Sequence, residues 1–253
     1  MNQINRADLS AYLDNFLNVR AIQDYTINGL QVEGRPAIQT LVTGVTACQA
    51  LLDEAVRLQA DAVMVHHGYF WKSESPAIHG MKKKRLQTLL QHDINLFAYH
   101  LPLDVHPEVG NNAQLARVLG IEQPKVVAHL AKGLIWQGQL PQPMTALQLQ
   151  QHVQQCLQRQ PLLIESGTHV IKQVAWCTGG AQDFIDQVPE LAVDAYISGE
   201  ASERTFHSAV EQQIHYLGAG HHATERYGIQ ALGQHLQTQF GLNWHHVDID
   251  NPI

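Results

Sequence analysis

Three short apolar runs in this sequence stop at side chains that can bind a metal. DAVMVHHG ends in His66-His67, INLFAYH ends in His100 with Asp104 close behind, and IHYLGAG runs into His221-His222 with Glu225. Imidazole nitrogens and carboxylate oxygens are donors for divalent transition metals. So many donors exceed what one closed tetrahedral ion takes, and they suit two ions sharing a carboxylate. Each piece has a plainer explanation. A His-His pair can cap a strand in solvent. Pro102 can leave His100 and Asp104 on an irregular turn. If HHATE opens a helix, His221 and Glu225 share one face, and the positive helix end favours a carboxylate there anyway. Three such endings at equivalent strand ends make metal the better reading.

The elements that must position these residues follow a repeating order. TLVTGVTA (40–47) has the β-branched content of a strand, QALLDEAVRLQA carries an apolar helical stripe, and DAVMVHHG is a second strand. VAWCTGG (174–180), AQDFIDQVPELA with Pro189 near its end, and DAYISGE (194–200) repeat that order, which points to an internal duplication. Each half then adds a helix and a strand: KKKRLQTLLQHD before INLFAYH, and ERTFHSAVEQQ before IHYLGAG. A helix over GIQALGQHLQTQF and a strand over NWHHVDI close the chain. The expected fold is α/β, with two similar βαβ-containing halves whose mixed, largely parallel sheets are flanked by helices. In such sheets, binding residues gather at the carboxyl ends of the strands. The expected division is a first half over 1–120, a connector over 121–172 with a strand and helix of its own, and a second half over 173–253.

Composition narrows the class. The 253 residues can bury a substantial core, and 45% hydrophobic with 15% charged residues is ordinary for a folded protein. A net charge of −7 argues against a basic nucleic-acid binder, leaving Lys82-Lys83-Lys84-Arg85 as one local basic run. Cys48, Cys156 and Cys177 are far apart, as expected of thiols in a cytoplasmic protein, and Cys177 reads as buried. Leu9, Tyr12, Leu13, Phe16 and Leu17 recur at helical spacing, which predicts an amphipathic docking helix rather than a signal peptide. No apolar run suits a membrane span. Of the 16 histidines, those outside the three strand ends read as surface or core residues, with His245-His246 in the last strand.

NGLQVEG (28–34), VTGVTA (42–47), VHHGYFWKSE (65–74), HLPLDVHPEVGNNAQLA (100–116), DAYISGE (194–200) and GHHATERYGIQAL (220–232), in that order, resemble the Nif-three-like family. Its members are also described as GTP cyclohydrolase I type 2 homologues. The resemblance implies a dinuclear metal centre with His66, His67, Asp104, His221 and Glu225 as ligands, and Glu225 as the bridging carboxylate. It also implies a ring-like homohexamer with sites facing an internal cavity. Longer relatives carry a middle domain, which the short 121–172 stretch argues against here. Many relatives have proline after the His-His pair, where this chain has Gly68.

Nitrogen and oxygen donors without thiolate suit Zn, Mn, Fe, Co or Ni. Two ions roughly 3.5–4 Å apart lower the pKa of a shared water, which is the apparatus of hydrolysis. The expected activity is therefore hydrolysis of a nucleotide-like or phosphorylated small molecule. Opening of the GTP purine ring is suggested by the resemblance, since the sequence holds no P-loop or GxGxxG. His100 and His222 are candidates for proton carriage or for positioning a ligand, with His222 leaning to a structural role. The alternatives are metal handling without turnover, and single-stranded nucleic-acid binding through the basic run with Tyr69, Phe70 and Trp71.

Overall fold

The computed structural model describes residues 2–253. The chain divides into two compact units, one of Met1–Gly110 with Gly228–Asp250 and one of Asn111–Tyr227 with Asn251–Ile253.

The first unit is built on a five-stranded sheet in the order Asn243–His246, Thr40–Thr46, Ala62–His67, Asn95–Ala98, Gly29–Val32. The first three pairings are parallel and the last is antiparallel. Both faces are covered, so alternate residues of each strand enter different cores. Leu41, Met64 and Phe97 meet Leu9, Leu13 and Leu17, together with Ile229, Leu232 and Leu236 from helix His221–Phe240. Val42, Val63, Val65 and Leu96 meet Leu51, Leu52, Leu86 and Leu89 from helices Gln49–Arg57 and Gly80–Gln91. The expected docking helix is Arg6–Phe16, with Leu9 and Leu13 buried and Asn5 capping its amino end.

The second unit carries a six-stranded sheet in the order Glu122–Val126, Trp136–Met144, Ile171–Trp176, Ala195–Ser198, His215–Gly218, Leu162–Ile164. Only its central three strands pair in parallel; the other three pairings are antiparallel. This sheet is mixed, as expected, and the 121–172 stretch adds more to it than one strand and one helix. It supplies three of the strands and helix Ala146–Leu157, whose Leu149, Val153 and Leu157 pack on Val174, Trp176 and Ile197. The linear cuts at 120 and 172 therefore differ from the spatial units. The closing strand Asn243–His246 pairs with Thr40–Thr46 and so belongs with the first.

Two local expectations change. AQDFIDQVPELA forms a 3-10 helix over Gln182–Leu191 rather than an α-helix. Pro189 inside it has no N–H to give and excludes the carbonyl one α-turn back. HLPLD is not an irregular turn but the start of a short helix, Leu101–Val105, with Pro102 in its first turn where a missing N–H costs nothing.

The two repeats share a pattern of hydrogen bonds. Asp61 accepts from the backbone N–H groups of Gln39 and Thr40, both at 2.8 Å, and its own N–H donates to Thr40 O. Asp194 accepts from Lys172 and Gln173, both at 2.8 Å, and its N–H donates to Gln173 O. Each aspartate thus fastens the start of one strand to its parallel neighbour. In each unit the third strand of the repeat also takes an earlier antiparallel strand at its side, Gly29–Val32 or Leu162–Ile164. Removing the Asp194 acceptor strands two backbone donors, so Asp194→Ala should lower stability by about 1–3 kcal/mol in urea unfolding. A change under a few tenths of a kcal/mol would contradict that role.

Candidate metal centre

In the first unit the donors stand where parallel strands end. His66, next to last in the Ala62–His67 strand, is fully buried, with Nδ1 2.9 Å from Tyr99 O and Nε2 3.5 Å from Asp104 Oδ1. The carbonyl fixes the proton on Nδ1 and leaves Nε2 as the lone-pair donor. His67, next along, is half-buried with Nδ1 3.3 Å from Thr46 Oγ1. His100, just beyond the Asn95–Ala98 strand, is 5% exposed and directly precedes the Leu101–Val105 helix that carries Asp104. Ligand atoms of His66, His67 and His100 all lie within 4.8 Å of one another, close enough to share an ion.

Asp24 completes this group, and the sequence reading missed it. Its carboxylate sits 3.0 Å from His100 Nδ1 and accepts from Asn28 Nδ2 at 2.9 Å and from the Leu101 N–H at 3.0 Å. Burial works against its charge, but these bonds and the His100 charge outweigh it and hold Asp24 down at about 2.

In the second unit, helix His221–Phe240 begins at the proposed donors, so HHATE does open a helix. His221 Nε2 lies 3.1 Å from Glu225 Oε2, one turn on, and its Nδ1 lies 2.6 Å from Glu200 Oε1. Burial disfavours a charged His221, yet Glu225 and Glu200 together push its imidazole up to about 9. Glu225 is 3% exposed. A Cβ on Gly179 would fall 2.0 Å from Glu225 Oε1, and Gly179 has φ of +69°, so glycine is required beside this carboxylate. His222 is buried, and its backbone N–H donates to Ile253 O at 3.0 Å. Glu200 is the second missed residue. It follows the Ala195–Ser198 strand closely, and DAYISGE displayed it without a histidine pair to draw attention.

The other candidates separate. Cys177 is buried, just past the end of Ile171–Trp176, and His246 pairs through Nδ1 with Thr43 Oγ1 at 3.0 Å in the closing strand. Tyr69 is packed, its hydroxyl donating to Ala47 O at 2.9 Å. Lys82 of the basic run is tied to Glu74 at 3.3 Å and lies over the Phe70 ring. A Cβ at Gly68 would meet Gln31 Oε1 at 2.2 Å and Ala98 Cβ at 2.6 Å, so glycine after the His pair fits the local packing. No helix among the described residues is long and apolar enough to cross a membrane.

With this geometry in place, comparison with known proteins is direct. A sequence model of the Duf34/NIF3 (NGG1p interacting factor 3) family matches residues 4–252, and the chain belongs to that family. A Pseudomonas aeruginosa protein called GTP cyclohydrolase 1 type 2 homolog is 54% identical over 240 residues, covering 94% of this chain and 95% of its own. A solved structure described as protein ybgI, of unknown function, is 53% identical with a TM-score of 0.94, covering 99% of this chain and all of its own. A Thermus thermophilus structure is 36% identical with a TM-score of 0.88 over 99% of this chain and 100% of its own. The donor chemistry, imidazoles beside the buried carboxylates Asp104 and Glu225, is of a kind that could hold a metal ion.

The depressed Asp24 carboxylate stabilises the fold at pH values above its unfolded range near 4, and loses that effect as pH falls toward 2. Asp24→Asn should therefore cost on the order of 2 kcal/mol at pH 7, with the difference from wild type vanishing by about pH 2. Equal stability of the two proteins in urea at pH 7 would contradict this.

Proposed function

We propose that the two donor sets act as one dinuclear centre, with His66, His67, Asp104, His221 and Glu225 as ligands and Glu225 as the shared carboxylate. We further propose that the centre hydrolyses a nucleotide-like or phosphorylated small molecule. The observation that carries the reading is the burial of two carboxylates against imidazoles. Asp104 and Glu225 are 5% and 3% exposed, at 3.5 Å and 3.1 Å from the Nε2 atoms of His66 and His221. Carboxylates so far from water need strong compensation, and divalent cations provide it.

Two divalent ions, when bound, supply Lewis acidity and lower the pKa of water held between them. Zn, Mn, Fe, Co and Ni all suit this thiolate-free set. The chain's own residues do the rest. Tyr99 O and Glu200 hold His66 and His221 by Nδ1, which presents both Nε2 atoms as donors. Asp24 orients His100 by Nδ1, so that His100 Nε2 can give or take a proton at the reacting group. The relatives' name makes a purine nucleotide the first substrate to try. The reading extends to a cytoplasmic homohexamer, which six copies of 28.2 kDa would place at about 169 kDa in light scattering.

Metal analysis and turnover test the proposal together. Wild-type protein should hold close to two ions per chain and hydrolyse GTP or a phosphodiester in a metal-dependent way. His67→Ala and Glu225→Ala should retain one ion or fewer and lose turnover at least a hundredfold. Glu200→Gln should weaken metal binding by about 10–100-fold while keeping the fold. Two tightly held ions with no turnover on a broad panel would sink the hydrolase reading and favour metal handling. Wild-type metal content in Glu225→Ala would sink the ligand assignment.

A further inference from the structure

Two segments of the first unit cross beside His67 and His100. The Lys72 N–H donates to Tyr25 O at 3.0 Å, Thr26 Oγ1 donates to Tyr69 O at 3.2 Å, and Gln31 brackets Tyr69 through both its N–H and its carbonyl. Phe70 has φ of +65°, a left-handed conformation uncommon for an aromatic residue. Glu74 holds it there by accepting from the Phe70 N–H at 2.8 Å. Strain of this kind persists where surrounding contacts enforce it, and it clusters at functional sites. Trp71 follows that turn directly, and its indole N–H donates to Gly68 O at 3.2 Å.

The result is an aromatic pair over the histidines. The Tyr25 and Trp71 rings lie 5.8 Å apart and 37° from parallel. Each stands edgewise to His100, with centroids 5.0 Å away and interplanar angles of 76° and 83°. Trp71 is also 6.0 Å from the His67 ring. Packing alone accounts for Tyr69, which is 4% exposed. It does not account for Tyr25, which is 52% exposed although it adjoins the buried His100. A large ring left half in water beside such a donor group presents a π-face to whatever occupies the site.

We propose that Tyr25 and Trp71 form a stacking platform for a planar heteroaromatic ring in the substrate, holding it beside His67 and His100. This deepens the hydrolase reading and rests on it. The platform narrows the substrate class from phosphorylated molecules in general to those carrying a flat, nucleobase-like ring. A ring laid parallel to Tyr25 stands steeply to the His100 imidazole, as Tyr25 itself does. Stacking is tolerant of base identity, so the platform selects a flat ring and leaves the choice of base to other contacts.

The test is equilibrium binding by calorimetry to the full-length, metal-loaded protein, with guanosine, adenosine and ribose 5-phosphate as probes. At least one nucleoside should bind, and Tyr25→Ala and Trp71→Ala should each weaken it about tenfold or more. Trp71→Phe should keep binding within about threefold. Ribose 5-phosphate affinity, metal content and oligomeric mass should stay at wild-type values in all three variants. If turnover is found, Tyr25→Ala should raise KM and leave kcat within threefold. Absence of nucleoside binding to wild type, nucleoside binding unchanged by both alanine variants, or an altered oligomeric mass in place of a binding change would each overturn the platform. Nucleoside binding that depends on Tyr25 and Trp71, without any hydrolysis, would leave the platform standing while the hydrolase reading fails. Hydrolysis of a substrate with normal KM in Tyr25→Ala would do the reverse.

Discussion

Two carboxylates are held almost out of water in this protein, each against an imidazole, and the rest of the architecture can be read as the means of holding them. Asp104 and Glu225 are each nearly fully buried, with His66 and His221 as their neighbours. Burial raises the free energy of an ionised carboxylate by several kcal/mol unless cations or donors surround it. Such groups stay in place only on rigid supports. The supports here are the carboxyl ends of parallel strands, the capped start of a short helix, and the first turn of a long one. Each orienting contact follows the same logic. Tyr99 O, Asp24 and Glu200 engage Nδ1 of His66, His100 and His221, which fixes the orientation of each ring.

The duplicated units explain why both donor sets form. Asp61 and Asp194 fasten equivalent strands by equivalent bonds, each within its own unit. Counting forward from these aspartates, His67 lies six residues after Asp61 and Glu200 six residues after Asp194. On the next strand, Leu101 lies six residues after Asn95 and His221 six residues after His215. A histidine position in one unit is thus a carboxylate position in the other, and the shared scaffold has diverged in its donors. Gly220, with φ of +102°, takes the place that His100 holds in the first unit. That conformation lets the chain turn straight into the helix bearing His221 and Glu225.

Much of this was legible in the amino-acid sequence because strands and helices impose different apolar periods. The alternation of the two repeats, the docking of Leu9 and Leu13, and the strand-end histidines all follow from that pattern. The failures have particular causes. Asp24 and Tyr25 lie in a stretch without periodicity, and only tertiary contacts bring them to His100. Glu200 was on display at a strand end, but a lone glutamate carries less signal than a histidine pair. Pro189 stands near the end of its segment and rules out only the α-helical bond of its own N–H, so the 3-10 form of the rest is not written in that residue. The 121–172 stretch hid its strands because its sheet partners, such as Ile171–Trp176 and His215–Gly218, are selected across the fold.

The proposed function requires these side chains jointly to coordinate a pair of metal ions. Anomalous difference maps from crystals of the metal-loaded protein, collected on both sides of the metal's absorption edge, test it most directly. Two peaks roughly 3.5–4 Å apart, with His66, His67, Asp104, His221 and Glu225 at coordination distance and Glu225 touching both, are the predicted result. A single peak, or peaks bound by other residues while Glu225 stays uncoordinated, would contradict the account.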